Sequence, residues 1–541
     1  MNKKKLIYSS IKAIKISEPR IEHLQKTIEN LLGIVEFEYK GKPVKIDAFR
    51  LKKLKTWANN HCHYSSFINF DLARECNINC VFCVHHGDPK DLIFENGKCH
   101  ISEEEFYTRL KYYNPTLQTG LFIPLYRWRE ALLSEKSIKY FKKIREKTNG
   151  LLTFWSNGSV LTEKVIKKLS KLKPIFLMLS LNNAREEYRF KFMNDKNPKI
   201  AIDSLKLLDK HQIAYAVSIL KWPGVDIESL EETVFYVSKH NPIFIRFILP
   251  GFTKYSNLPK KHQFENIEDE WKCIIKLANK LRNKISCPLL TVPMVYEDDF
   301  YHKKIDKLIV GGVVKNAPAY NLIKNKDIIL GINNITVGGR QEGVDYLTSL
   351  YEYKKLKKIK LKVLRQKQII YVTLTKHPYS FPYTREYEEI YSFPFGMIFA
   401  NGFDDMTIQG IAKIIEENKA KNVVIFVSDL IKPSFLKTIK RLKLKQYLRD
   451  NFKAKFRVET AENDFFGKAI LPGSLLVCDD YIKRIKTLLK ENIKIDLIII
   501  PSSIFFSSMG WKRDLKGDIF KKIEKECKIK VEIIDCEIMN N

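Results

Sequence analysis

Three cysteines, Cys76, Cys80 and Cys83, fall within eight positions of a 541-residue chain that holds ten in all. Intervals of three residues and then two set three thiolates on one tight loop, after a strand-like run that begins at Asn69. Three soft sulfur ligands can hold three irons of a cube and leave the fourth iron open to an exogenous ligand. In a chain of this cysteine content the spacing arises by chance only about 0.003 times. The competing chemistry is zinc, which takes four ligands in a closed structural site, and His85 or His86 would supply the fourth. His61, His63, His85 and His86 flank the loop and are candidates for proton transfer beside a cofactor. Cys62 and Cys99 are candidates for a thiyl donor or an auxiliary ligand. Cys273, Cys287, Cys478, Cys527 and Cys536 are scattered and read as small buried hydrophobes.

The elements that would position this loop follow from pattern. From about His61 to Asp299, β-rich runs (Leu151–Trp155, Ile175–Leu181, Tyr215–Leu220, Phe244–Leu249) alternate with amphipathic segments (Glu135–Thr148, Thr162–Leu172, Lys199–His211, Asp226–Lys239). Strand, helix, strand in succession is the signature of parallel βαβ units. About six such units make an incomplete (β/α)6 barrel, with chemistry expected at the C-terminal ends of its strands. Residues 1–60 read as an N-terminal extension, with a helical stretch from Arg20 to Leu32 and a hairpin from Val35 to Ile46 turning at Gly41. After residue 302 the pattern changes to a small β-rich module (303–377), in which Ile359–Leu364 and Gln368–Leu374 are expected to pair. A tract rich in Tyr, Pro and Phe (378–395) reads as a linker. The last segment (396–541) is again α/β, with strand-like Asn422–Ser428, Lys455–Val458, Ile495–Pro501 and Val531–Ile534.

Composition narrows the class. Hydrophobic residues at 45% and charged residues at 29% describe a globular chain of about three or four domains. No apolar stretch is long enough to cross a bilayer. The opening Met-Asn-Lys-Lys-Lys is followed by a run too short and too charged for a secretory signal, so a cytoplasmic protein is expected. The net charge of +32 raises nucleic acid as a partner. Its lysines, however, are spread through every segment apart from local runs at Lys354–Lys362 and Lys437–Lys445, which read as solvated faces, so nucleic acid is not the expected partner.

The segment Cys76-Asn-Ile-Asn-Cys80-Val-Phe-Cys83 resembles the CxxxCxxC motif of the radical S-adenosylmethionine (SAM) superfamily, with Phe82 at the aromatic position before the last cysteine. The resemblance implies a [4Fe-4S] cluster on Cys76, Cys80 and Cys83 and SAM chelating the open iron. It also implies cleavage of SAM to a 5′-deoxyadenosyl radical that abstracts a substrate hydrogen, and a reducing donor such as flavodoxin or ferredoxin. Glu130 stands where the family's glycine-rich GGEP-like stretch places the acid that holds the SAM amino group. Trp128 and Arg129 replace both glycines, and a helix N-terminal carboxylate is the competing reading of Glu130. Trp155-Ser-Asn-Gly158 resembles the turn after the family's third strand. Ser180 and Ser218 sit where the fourth and fifth strands offer polar groups to SAM, and Arg189 is placed to reach the SAM carboxylate. Backbone-satisfied serines and a surface arginine are the alternatives for these three.

Two further resemblances extend downstream. Gly312–Tyr320 with Asn325–Asn334 is similar to the bacterial PDZ pattern, which implies capture of an extended peptide by strand addition; a lid packed on the barrel is the alternative. Trp222–Asp226, Ile248–Tyr255 and Glu462–Gly473 resemble PDZ-containing radical SAM proteins whose C-terminal domain is called DUF512, with Asn463, Gly467 and Gly473 as motif residues. In those proteins the PDZ domain comes first, whereas here it follows the barrel. The resulting expectation is a radical SAM enzyme acting on a small molecule or peptide. An RNA-modifying enzyme, favoured by charge, and a peptide-binding scaffold with an inactive barrel are the rivals.

Overall fold

A computed structural model describes residues 14–15, 34–39, 42–47, 76–83, parts of a helix at 103–110, 121–122, 130–256, 264–379, 391–403, 405–505 and 514–534. The expected helix at 20–32, the strand before Cys76, Trp128, Arg129, the four flanking histidines, Cys62, Cys99 and Cys536 lie outside the described residues. At the N-terminal end β1 (Ile14–Lys15) runs parallel to β2 (Ile34–Tyr39), which turns into antiparallel β3 (Lys42–Asp47), the expected hairpin.

The centre is a six-stranded, all-parallel sheet whose spatial order equals its chain order. Its strands are β4 (Leu121–Phe122), β5 (Leu152–Ser156), β6 (Ile175–Leu179), β7 (Ala214–Leu220), β8 (Ile245–Ile248) and β9 (Leu289–Val292). The intervening helices are α1 (Glu135–Arg145), α2 (Glu163–Ser170), α3 (Glu186–Met193), α4 (Pro198–Lys210), α5 (Ile227–Ser238) and α6 (Ile267–Leu281). Local chemistry starts several of them. Thr162 accepts from Val165 N at the head of α2, Asp226 from Ser229 N at α5, and Asn266 from Glu268 N and Asp269 N at α6. Each cap satisfies a helix-end donor and stabilises by about 1 kcal/mol. Sequential parallel order with a helix in each crossover is the topology of an open (β/α) barrel. β9, α3 and α6 were not among the elements expected from pattern.

All five residues of β6 are buried, and they divide between two cores. Ile175, Leu177 and Leu179 pack with the helices, whereas Phe176 and Met178 join a second cluster. That cluster also contains Phe244, Leu290, Phe393, Ile398, Val423, Phe435 and Leu497. The helix-free face of the sheet is therefore covered by downstream chain.

The 303–377 module is built from β10 (Gly312–Val313), β11 (Ile328–Ile332), β12 (Ile335–Thr336), α7 (Arg340–Glu352), β13 (Lys358–Arg365) and β14 (Gln368–Thr375). β13 and β14 pair antiparallel as expected, closing on Gln366 and Lys367, both at positive φ. Of the tract read as linker, Phe393 and Phe395 are fully buried, and the chain runs from β15 (Tyr391–Ser392) into β16 (Met397–Ala400). The last unit is a four-stranded parallel sheet in the order β18-β17-β19-β20. Its strands are β17 (Asn422–Phe426), β18 (Lys455–Glu459), β19 (Leu497–Pro501) and β20 (Lys530–Ile534). Its helices are α8 (Asp405–Glu417), α9 (Lys432–Arg441), α10 (Leu444–Phe452), α11 (Cys478–Lys490) and α12 (Lys521–Cys527).

A buried polar network fastens the three parts. A π-helix (Tyr296–Tyr301) follows β9 and carries Asp298 and Asp299, both buried. Arg340, at the head of α7, binds Asp299 at 2.5 Å and receives support from Asp306, while Ser434 of α9 donates to Asp299. Burial, against the attraction of Arg340, pushes the Asp298 carboxyl up to about 8. Removing one partner of a buried pair strands the other charge. Arg340→Met is expected to cost roughly 3–5 kcal/mol, read as a lower urea midpoint than wild type.

Candidate functional site

Cys76, Cys80 and Cys83 lie on a loop stitched to the end of α3: Asn79 N donates to Met193 O at 3.1 Å and Val81 N to Phe192 O at 2.9 Å. Cys83 N closes a turn on Cys80 O at 3.0 Å. Phe82 packs on Trp222, with ring centroids 5.7 Å apart, so the side chain between the last two cysteines is anchored in the core. None of the three is joined in a disulfide. Burial pushes the Cys80 thiol well up, and Cys83 and Cys76 push it further against the pull of Arg189. Three thiolates so close would repel one another, and cationic iron among them would relieve that cost. Three soft thiol donors on one loop are of the kind a cluster of irons takes, although among the described residues no three His, Cys, Asp or Glu side chains are gathered to hold a single metal ion.

The opposite wall is Glu130. It is 2% exposed, and its carboxylate accepts from Leu132 N (3.2 Å), Ser156 Oγ (2.9 Å) and Asn157 N (2.7 Å). Ser156 ends β5, so the acid is fixed at the C-terminal edge of the sheet. Burial pushes its carboxyl up to about 7, outweighing the three donors and Arg189. A carboxylate in such a place favours a cationic partner strongly, because the partner restores what desolvation removed.

Asn157 joins the two walls. Its backbone N–H goes to Glu130, and its side-chain Nδ2 donates to Cys76 Sγ at 3.5 Å and to Asn77 Oδ1 at 3.1 Å. Ser159 clamps the same side chain, its N and Oγ donating to Asn157 Oδ1 at 2.8 and 2.6 Å, while Asn77 Nδ2 donates to Ser159 Oγ. Gly158 sits at φ +86°, and an added Cβ would stand 2.8 Å from the Ala201 side chain. The turn thus requires glycine on both steric and conformational grounds.

Arg189 is fully buried. Its guanidinium binds Asp195 (2.5 and 3.0 Å), Leu181 O (2.6 Å) and Asn157 O (2.9 Å). These bonds brace the turns after β5 and β6 from behind. Ser180, half-buried, follows β6 and hands its N–H to Ser156 O at 2.8 Å. Ser218 in β7 is buried and accepts from Arg246 Nε at 2.8 Å. Phe82, Glu130, Arg189 and the cysteine loop therefore meet in one region around Asn157, with Ser180 on the neighbouring strand end. Ser218 looks toward Arg246 on the helix-free face.

Two features went unread in the sequence. Asn157 looked like a turn residue and is the joint of the site. Arg246 interrupts the apolar run Phe244–Leu249, a legible signal, and its guanidinium lies 5.4 Å from the Trp155 ring. The loop carrying Asn463, Gly467 and Gly473 was singled out as a motif, and its contacts now give its place. Asn463 is buried and ties Phe466 N to Leu475 O, Gly467 lies at φ +109° beside Lys254, and Gly473 opens a 3-10 turn. The loop lands on the segment after β8: Lys254 N donates to Phe466 O at 2.6 Å and its Nζ to Asp464 O at 2.7 Å. The C-terminal unit thus reaches the edge of the sheet where the cysteine loop lies.

One titration follows from Glu130. Its folded value, about 7, lies above the ordinary 4.5, so its contribution to stability is full below pH 4.5 and lost as pH rises through about 7. In SAM-free protein, Glu130→Gln is expected to remove on the order of 3 kcal/mol of that pH dependence, measured by urea denaturation across the window.

Residues 71–237 match the family model described as Radical SAM superfamily. No curated protein matches the chain. Among solved structures it is similar to SuiB of Streptococcus suis bound to S-adenosylmethionine, at 14% identity and TM-score 0.32, over 44% of this chain and 54% of SuiB. It is similar also to SuiB bound to its precursor peptide SuiA (14%, TM-score 0.31, 44% and 52%) and to methylornithine synthase, PylB (17%, TM-score 0.28, 48% and 72%). The chain spans about half the length of the SuiB chains it matches, and at these scores the likeness says nothing about substrate. The family implies SAM and an iron–sulfur cluster. Residues 71–237 thus form a radical SAM superfamily domain by that match, and such domains belong to enzymes.

Proposed function

We propose that the protein holds a [4Fe-4S] cluster on Cys76, Cys80 and Cys83 and cleaves SAM reductively at the C-terminal edge of the β4–β9 sheet. Bound there, the cluster supplies the electron that splits SAM into methionine and a 5′-deoxyadenosyl radical, which takes a hydrogen atom from a small-molecule or peptide substrate. What carries the reading is Asn157, whose backbone holds Glu130 while its side chain reaches Cys76.

The chain's own residues have separable tasks. Glu130, held by three donors, is the acceptor for the SAM ammonium, and a charge-assisted bond in a buried site is among the stronger kinds. Arg189 acts as a positioning residue: its donors hold the carbonyls of Asn157 and Leu181 and the Asp195 carboxylate, which keeps the turns after β5 and β6 in register. Ser180 and Ser218 offer hydroxyls along the adjoining strands, and Phe82 with Trp222 keeps water from the back of the cysteine loop. The electron comes from a reducing donor such as flavodoxin or ferredoxin. A reducing, cytoplasmic setting agrees with the seven described cysteines, none of which is in a disulfide.

Anaerobic reconstitution followed by dithionite should yield 5′-deoxyadenosine from SAM, and a fully loaded protein that yields none would sink the proposal. Cys80→Ala is expected to lose both cluster absorbance and product. Asn157→Leu removes one N–H···S bond, and such bonds stabilise the more negative, reduced cluster. It should leave iron content near wild type while moving the reduction potential lower in an EPR-monitored titration.

A further inference from the structure

The sheet of the 303–377 module has two unlike faces. The inner one packs on α7 and on Phe395, Met397 and Phe399, whose neighbours Ile398 and Ala400 turn the other way, into the core shared with the barrel sheet. Side chains alternate along a strand, and on β13 lysine alternates with apolar residues. Ile359, Leu361 and Val363 are buried, whereas Lys358 and Lys360 are exposed and Lys362 is half-buried. The paired strand β14 continues this outer face: Thr375 stands opposite Lys358, Thr373 opposite Lys360, Tyr371 opposite Lys362 and Ile369 opposite Leu364. Tyr371 is 77% exposed, more than any other large apolar side chain among the described residues.

Charge is concentrated here, against the even spread that the whole sequence suggests. Residues 303–377 hold sixteen Lys and Arg and five Asp and Glu, so the module carries +11, a third of the chain's +32 on about one seventh of its length. Two of those acids, Asp306 and Asp327, are buried, and Glu342 pairs with Arg441. Strands β13 and β14 contain no acid. The second basic run of the sequence ends at the far edge of the same sheet. Lys440 and Arg441 close α9, and Arg441 lies against Gly338 and Gly339, in the loop that leaves edge strand β12.

Alternate residues of a strand repeat at roughly 7 Å, so three lysines in a row present cations at regular steps to a partner whose anions also repeat. A merely solvated lysine face needs no exposed ring in register with it. We propose that the outer face of β13 and β14 binds single-stranded RNA. Lys358, Lys360 and Lys362 meet successive phosphates, and Tyr371 stacks on an unpaired base. The exposed hydroxyls of Thr373 and Thr375, opposite two of the lysines, bond the ribose 2′-hydroxyls that DNA lacks. A duplex keeps its bases inside the helix and gives Tyr371 nothing to stack on. A membrane needs a broad apolar face to bury, and this one offers only Tyr371 and Ile369. The proposal rests on this sheet alone and is independent of the radical chemistry.

The test uses the full chain and a fluorescent oligouridylate of about twelve nucleotides, with binding read by anisotropy at rising salt. Wild type is expected to bind, and Tyr371→Ala to weaken binding roughly tenfold. Lys358→Gln/Lys360→Gln/Lys362→Gln should flatten the plot of log affinity against log salt by about 2. The same change of charge elsewhere, at exposed Lys490, Lys494 and Lys525, should leave affinity and slope near wild type. Deoxyuridylate of equal length should bind several-fold more weakly. These substitutions lie on the surface, so the variants fold. Failure of wild type to bind, an unchanged Tyr371→Ala, or an equal loss in the distant triple variant would each overturn the proposal. So would equal affinity for the DNA strand, or capture by phosphatidylserine vesicles in place of RNA.

Discussion

A parallel sheet has two apolar faces, and both must be covered. Helices α1–α6 cover one. The other cannot be served by crossovers that all pass on the same side, so Phe176, Met178, Phe244 and Leu290 are covered by downstream chain, from Val314 and Ala317 to Phe393, Val423 and Leu497. Much of the architecture answers to that requirement. β16 presents one row of side chains to this face and the other row to the 303–377 module. Arg340, Asp299 and Ser434 fix the corner where barrel, module and C-terminal unit meet.

The site obeys a second constraint, that buried charge must be matched. Arg189 is matched within the protein by Asp195 and two carbonyls. Glu130 is surrounded by neutral donors that orient it and leave its charge largely uncompensated, which is why its carboxyl rises toward neutrality. The same argument applies to Cys80. A structural ion pair and two buried acids without a counter-charge of their own thus gather around the Asn157 turn, and their electrostatics tell them apart.

The strand–helix rhythm from 151 to 249 was readable because β-rich runs and helical periodicity alternate there without ambiguity, and the C-terminal strands at 422, 455, 497 and 531 fell close to their expected places. The cysteine spacing and Glu130 stood out in the sequence as candidate chemistry, and the structure brings both to the Asn157 turn. Asn157 was not, since a turn asparagine and a joint asparagine look alike until both partners are placed. Arg189 suggested ligand contact, yet its donors go to Asp195, Leu181 and Asn157. Phe393 and Phe395 sat in a Pro- and Tyr-rich tract whose composition speaks of a linker. Their burial depends on partners from the barrel and the module, which no local window contains.

The two-sided alternation of β16 has a bearing on synthesis. Domains fold as they leave the ribosome, N-terminal first. The barrel's helices and strands are complete once β9 has emerged, but the face carrying Phe176, Met178 and Phe244 is covered only in part, by Met294, Val295, Val314 and Ala317, until residues 393–400 follow. During that interval the nascent chain displays a broad apolar surface, a natural binding place for chaperones. The cysteine loop is tied to the end of α3 and to the turn after β5 and not to that later chain, so the shaping of the loop and the closure of the fold are separate events in the life of each new molecule.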